Sequence, residues 1–94
     1  MKLIWSPTAE RNADLIWEYI SQDNLQAADR IRERLDTAAE HLKEYPLMGR
    51  AGRAKDTREL VVSGTPYLLI YRISGAIVEI TRVLHGAQDW PPKG

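Results

Sequence analysis

The segment Arg82-Val83-Leu84-His85-Gly86-Ala87-Gln88-Asp89-Trp90 places an arginine, a histidine, an aspartate and a tryptophan within one short stretch. Histidine is the side chain type suited to general acid or base work near neutral pH, which makes His85 a candidate for it. The same residue type at a strand end serves equally well as a partner for backbone groups. Trp90 stands just before Pro91-Pro92, placed either to close the end of a core or to anchor a partner. A second group, Arg50, Arg53, Lys55 and Arg58, puts four cations in one segment and reads either as a polyanion patch or as a solvated loop. No G-x-x-x-x-G-K-[ST], G-x-G-x-x-G, H-E-x-x-H or G-x-S-x-G occurs, so nucleotide, zincin and hydrolase chemistries lack support. Without cysteine, and with His41 and His85 as the only histidines, the chain offers no thiolate nucleophile and too few ligands for a histidine-built metal site. No metal and no cofactor are therefore expected.

Length and composition bound what can position these groups. Ninety-four residues, 44% apolar and 28% charged, match one globular domain spanning 1–94. Such a chain buries only about 60–65% of its unfolded surface, so its stability margin is thin. The net charge is zero but uneven: residues 1–48 hold six Lys/Arg and nine Asp/Glu, residues 49–94 seven and four. Proteins that live on phosphate backbones tend to be clearly basic overall, and this one is not, so the overall charge gives no support to direct nucleic-acid binding and leaves it undecided. The apolar run of the opening Met-Lys-Leu-Ile-Trp-Ser-Pro is too short for a secretory leader, and Tyr67–Tyr71 is far below the roughly 20 residues that span a bilayer. A cytoplasmic location and no membrane partner are expected.

Hydrophobic periodicity supplies the elements. Residues 2–5 read as a short strand, and Ser6-Pro7 as a helix start with Ser6 as cap. Ala9, Ala13, Ile16 and Ile20 share one face of that helix, with Trp17 beside them as a core residue; Leu15 and Tyr19 extend apolar surface to another side. Asp23-Asn24 opens a second helix, with Gln26 placed for a capping-box contact to Asp23. Its stripe Ala28, Ile31, Leu35, Ala38, Ala39 and Leu42 runs to the stop at Tyr45-Pro46, with Ala27 at the edge. Residues 46–57 carry no period and read as a mobile loop. Three β segments follow, 58–62, 67–73 and 76–84, separated by Ser63-Gly64-Thr65-Pro66 and Ser74-Gly75. Straight alternation puts Leu60, Val62, Tyr67, Leu69, Tyr71, Val78 and Ile80 toward the helices. It leaves Glu59, Val61, Leu68, Ile70, Arg72, Ile77, Glu79, Thr81 and Val83 on the other face. The order β-α-α-β-β-β defines an α+β fold, a helical hairpin packed on a small antiparallel sheet.

In this order and spacing the chain resembles the ParE/RelE superfamily of type II toxin–antitoxin toxins. The resemblance rests on W-S-P-x-A (Trp5 to Ala9), Asp14-Leu15-Ile16-Trp17-Glu18-Tyr19-Ile20, Tyr45-Pro46 through Gly49-Arg50, R-E-L-V-V (Arg58 to Val62), Y-L-L-I-Y-R-I (Tyr67 to Ile73) and V-E-I-T-R-V-L-H-G-A (Val78 to Ala87). It implies one of two activities. The RelE and YoeB branches are ribosome-dependent mRNA endonucleases that need an acid–base pair and arginines for the charge of a phosphorane-like transition state. Those branches carry an arginine after the residue that opens the middle strand of the meander; here Leu68 follows Tyr67. They end the last strand on an Arg-aromatic-His-Tyr run; here Leu84, His85 and Gly86 fill the last three places. Losing one such preorganised group typically costs about 10²–10³ in rate, although Arg72 on the same face could replace the arginine. The V-L-H-G-A ending resembles the ParE branch, whose members inhibit DNA gyrase.

The resemblance therefore favours a gyrase-binding toxin without bond-cleaving chemistry, neutralised in a hetero-oligomer by a cognate antitoxin. His85, Asp89, Trp90, Arg50 and Arg53 are the expected target contacts, and Leu15, Tyr19 and Ala27 the expected antitoxin contacts. The alternative is a RelE-like mRNA endonuclease working through Arg58, Arg72, Arg82 and His85. A third reading keeps the toxin fold as a binding module alone.

Overall fold

The computed structural model describes residues 1–87 and Trp90; among the expected site residues, Asp89 lies outside that set. The chain runs β1 (Lys2–Trp5), α1 (Pro7–Ser21), α2 (Leu25–Glu44), β2 (Arg50–Ala51), β3 (Arg58–Val61), β4 (Tyr67–Ser74) and β5 (Ile77–His85). The strands form one sheet in the order β1-β5-β4-β3-β2. β3, β4 and β5 make the expected antiparallel meander. β1 pairs parallel to β5, so the sheet is mixed rather than purely antiparallel. The parallel pairing follows from the hairpin α1–α2 and the meander lying between the two strands in sequence, a crossover long enough to bring the chain back in the same direction.

Both helices start as local sequence dictates. Ser6 Oγ accepts the Ala9 N–H (3.0 Å), and Pro7 fills the first turn where no backbone donor is needed. In α2 the cap is Asn24, whose Oδ1 accepts the Ala27 N–H (3.0 Å); the capping box expected between Asp23 and Gln26 is not the one formed. The turn between β4 and β5 is Gly75-Ala76, one residue later than expected, with Gly75 at φ 58° supplying the positive dihedral that a two-residue hairpin demands. The stripes of both helices close over β3, β4 and β5: Ala9, Ala13, Leu35, Ala39 and Leu42 enclose Val62, Leu69, Tyr71, Val78 and Ile80. Trp17 is only half-buried, and its Nε1–H donates to Asp29 Oδ1 across the helix pair (2.9 Å).

One irregularity matters for the site. Ile70 pairs with Arg82 but Tyr71 pairs with Ile80, so Thr81 is an extra residue in β5. Residues around this bulge are caught by side chains: Ser6 Oγ donates to the Thr81 carbonyl (3.0 Å), Asn12 Oδ1 accepts the Val83 N–H (3.1 Å), and the Thr81 hydroxyl donates to the Ile70 carbonyl (3.2 Å). Because side chains alternate, one extra residue inverts every face beyond it. Val83 joins the core under the helices and Leu84 faces the other way, which corrects the placement of Val83 that straight alternation gives.

Candidate functional site

The bulge also turns His85 toward α1. It pairs with Tyr67 across β4 and β5, their rings edge to face at 5.7 Å between centroids. The Ala87 N–H donates to His85 Nδ1 (3.0 Å), so the neutral ring carries its proton on Nε2. His85 thus does have the strand-end backbone contact that its position allows. Beside it, Asn12, Leu15, Ile16, Tyr19, Tyr67 and Arg82 line a groove of about 390 Å³. Leu15 and Tyr19 stand 49% and 73% exposed on its rim, a large apolar surface to leave in water. Burial pushes the Tyr67 hydroxyl above the ordinary tyrosine range, and the neighbouring Tyr19 adds to the effect. The structure therefore brings Leu15 and Tyr19, read as antitoxin contacts, into the same groove as His85, read as a target contact. Ala27, on α2, is partly buried and lies apart from that groove.

The basic segment is more ordered than its lack of period implies. Rather than a mobile loop, it contains β2, paired to β3 through Arg50–Glu59 and Ala51–Arg58. The organising residue is Glu59, buried with its side chain fully enclosed. Its carboxylate accepts from Arg50 Nη2 (3.2 Å), from the Arg53 N–H (2.9 Å) and from Arg53 Nε (3.1 Å). Burial alone would raise its pKa. The bonds from Arg53, side chain then backbone, and from Arg50 outweigh that and hold the carboxyl below its ordinary value. Arg50 and Arg53 keep part of each guanidinium in solvent, at 65% and 46% side-chain exposure, but both are anchored. Sequence reasoning set Glu59 among outward-facing strand residues and missed this role. The available signal was a carboxylate directly after a run of four cations, Arg50, Arg53, Lys55 and Arg58.

Across the sheet from the helices, Leu68, Ile70 and Leu84 form a second, smaller apolar cluster covered by Trp90. Arg82 lies over the Trp90 ring, 5.0 Å from its centroid. The Trp90 Nε1–H is buried with no hydrogen-bond partner among the described residues. On the same face Arg72 Nε bonds Glu79 Oε1 (2.9 Å). Arg58 points the other way, toward Gly49, whose carbonyl accepts from its Nη1 (2.6 Å). Of the four residues considered for RNA cleavage, Arg82 and His85 both border the groove beside α1, Arg72 is paired with Glu79 on the outer face, and Arg58 is turned toward Gly49. The four are not gathered round one point. Among the described residues no group of three or more His, Asp or Glu side chains is placed to hold a metal ion.

Two helices on one face of a five-stranded mixed sheet is the architecture of toxins from type II toxin–antitoxin systems. A chain of the chromosomal ParDE system from P. aeruginosa superposes with TM-score 0.81 at 20% identity, over 90% of this chain and 95% of that one. The YoeB/ParE toxin from Agrobacterium tumefaciens gives 0.62 at 17% identity, over 90% and 98%. The family model described as the ParE toxin of the type II parDE system matches residues 3–90, and the chain belongs to that family. It is 47% identical over 90 residues to the putative toxin Y4kP of Sinorhizobium fredii, covering 96% of this chain and 93% of the relative. It is 39% identical over 87 residues to toxin RelE2 of Caulobacter vibrioides, covering 93% and 97%. The protein is thus a type II toxin of the ParE/RelE superfamily, a class defined by a protein antitoxin partner. No helix among the described residues is long and apolar enough to cross a membrane.

Proposed function

We propose that the chain is one ParE-like toxin domain that acts in the cytoplasm by binding DNA gyrase, and that a cognate antitoxin seated on the α1 groove neutralises it. The observation that carries the target reading is the apolar outer face. At the place where the RNA-cleaving branches carry an arginine, Leu68 packs with Ile70 and Leu84 under Trp90. Arg82 is stacked on that ring and Arg72 is paired with Glu79, so the cations on this face already have partners. A cleavage site would need such charges aimed at a scissile phosphate, with an acid–base pair on the same side. The relative named toxin RelE2 keeps the endonuclease reading in competition.

The antitoxin reading rests on the exposure of Leu15 and Tyr19 beside a ready groove, a fit for the apolar face of an amphipathic segment that folds on binding. Purified protein should block supercoiling by gyrase and leave ribosome-bound mRNA intact. Specific, ribosome-dependent mRNA cleavage that falls about 10²–10⁴-fold in His85→Ala would replace this reading with the endonuclease one. Leu15→Glu should keep the fold and lose antitoxin affinity; unchanged affinity would move the antitoxin site off α1.

A further inference from the structure

Arg82 is held in place from its root. β1 covers the edge of β5 only from Ile77 to Ile80, and past that point side chains of Ser6 and α1 take over the edge. Ser6 Oγ donates to the Thr81 carbonyl (3.0 Å) and Asn12 Oδ1 accepts the Val83 N–H (3.1 Å), so the backbone is fastened on both sides of Arg82. On the outer face the Trp90 ring steadies the guanidinium, 5.0 Å from its centroid. Contact with a ring leaves most of the five N–H donors of a guanidinium available. Among the described residues those donors meet no carboxylate, whereas Arg32, Arg50, Arg53 and Arg72 are each ion-paired.

The same side chain borders the α1 groove, beside Leu15, Tyr19 and Tyr67. No carboxylate among the described residues lines that groove, so its one fixed charge is positive and unbalanced. Around the cation the lining is apolar or phenolic, with Leu15 and Tyr19 exposed at the rim and Tyr67 buried within. A carboxylate that reaches Arg82 there makes charge-assisted bonds in surroundings that water enters poorly, which strengthens them. Because the arginine is already held, little of that gain is spent on ordering it. Apolar residues on either side of the carboxylate then cover Leu15 and Tyr19. A nucleic-acid backbone needs a row of cations, and the groove offers one. The class of partner is given by the family: a type II toxin has a protein antitoxin.

We propose that the antitoxin segment in the α1 groove carries an aspartate or glutamate between apolar residues, and that this carboxylate docks on Arg82. The inference rests on the reading of the α1 groove as the antitoxin site. The test titrates the full-length cognate antitoxin onto the full-length toxin. Arg82→Gln should melt within a few degrees of wild type and raise Kd at least tenfold, and Arg82→Lys should recover part of that loss. Added salt should weaken the wild-type complex more steeply than the Arg82→Gln one. Changing each antitoxin Asp and Glu to its amide, one at a time, should find one position that costs at least tenfold against wild-type toxin and little more against Arg82→Gln. If Arg82→Gln melts much lower, the antitoxin changes measured on wild-type toxin decide. A scan in which no antitoxin acid matters overturns the proposal. Leu15→Glu reports on the groove itself. If it abolishes binding while Arg82→Gln stays within about twofold of wild type, the groove reading stands and the carboxylate anchor falls. If neither variant changes affinity, both fall. Arg82→Gln that spares antitoxin affinity but weakens growth arrest would make Arg82 a target contact and overturn the proposal. So would a toxin that dimerises alone and becomes monomeric in Leu15→Glu, which gives the groove to a second copy.

Discussion

On the helix-covered side of the sheet, Leu69, Tyr71, Val78 and Ile80 are fully enclosed between two apolar helix stripes. On the opposite side Leu68, Ile70 and Leu84 lie, among the described residues, under the partly buried Trp90. The same strands supply both layers, yet the inner one is closed by two helices and the outer cluster, among the described residues, by Trp90. A domain of this size has one core that decides whether it folds. Its second face carries enough apolar surface to need a cover and too little to act as a second core. The inner face should therefore set stability, and the outer face should tolerate change.

The largest expected effect is Tyr71→Ala. It opens a cavity in the inner core and releases the Pro46 carbonyl and the Gly49 N–H at once. A loss of about 3–5 kcal/mol is expected, a large share of the stability of a small domain. Circular dichroism should show a protein that is mostly unfolded or melts tens of degrees lower. A shift of only a few degrees would mean that the helices, rather than the Tyr71 layer, dominate.

Next comes Trp90→Ala, which strips the outer face. Because the ring is only partly buried, the loss should be about 2–3 kcal/mol, below the value for an enclosed aromatic. A urea melt should show a lower midpoint with an intact two-state transition. A near-normal melt with toxicity lost would assign Trp90 to partner contact instead. A loss equal to that of Tyr71→Ala would erase the difference between the faces.

How far the sequence exposes this contrast depends on the range of the interaction. The helix stripes are legible because a period of 3.6 is local: Ala9, Ala13 and Ile16, then Ile31, Leu35 and Leu42, declare their face without any partner. Strand faces are legible only until the register changes. The bulge at Thr81 depends on Ser6 and Asn12, some 70 residues earlier, so no local pattern announces that Val83 and His85 turn toward α1. Glu59 escaped for a similar reason: an acid in a strand looks solvated until Arg50 and Arg53 fold back over it. The groove components Leu15, Tyr19 and His85 were each visible as residues. Their meeting in one place was not, because it follows from that same bulge.

Glu59 sharpens the comparison on the electrostatic side. Its carboxyl is held below its ordinary value of 4.5, so it binds its proton more weakly folded than unfolded. The stabilisation is complete above that value and is lost as pH falls through the lower, folded one. Stability should decline on acidification below about pH 4.5, and Glu59→Gln should flatten that decline while lowering stability at pH 7 by about 1–3 kcal/mol, the usual range for impairing a charged hydrogen-bond network. An unchanged acid slope in Glu59→Gln would show that other carboxylates set it.

The smallest effect is expected at Arg72–Glu79, the ion pair on the outer face. Its geometry is good, at 2.9 Å, but the arginine side chain is more than half exposed, so water and salt compete for both charges. A double-mutant cycle with Arg72→Gln and Glu79→Gln should give a coupling of about 0.2–1 kcal/mol, shrinking toward zero in 1 M salt. Glu59 has the same kind of partners and differs in being buried, so the two sites isolate what burial adds to an ion pair on one sheet. A coupling at Arg72–Glu79 as large as the Glu59→Gln loss would show that an exposed pair on this face is held as firmly as the buried one. The division between a core that sets stability and a face left free to change would then fail.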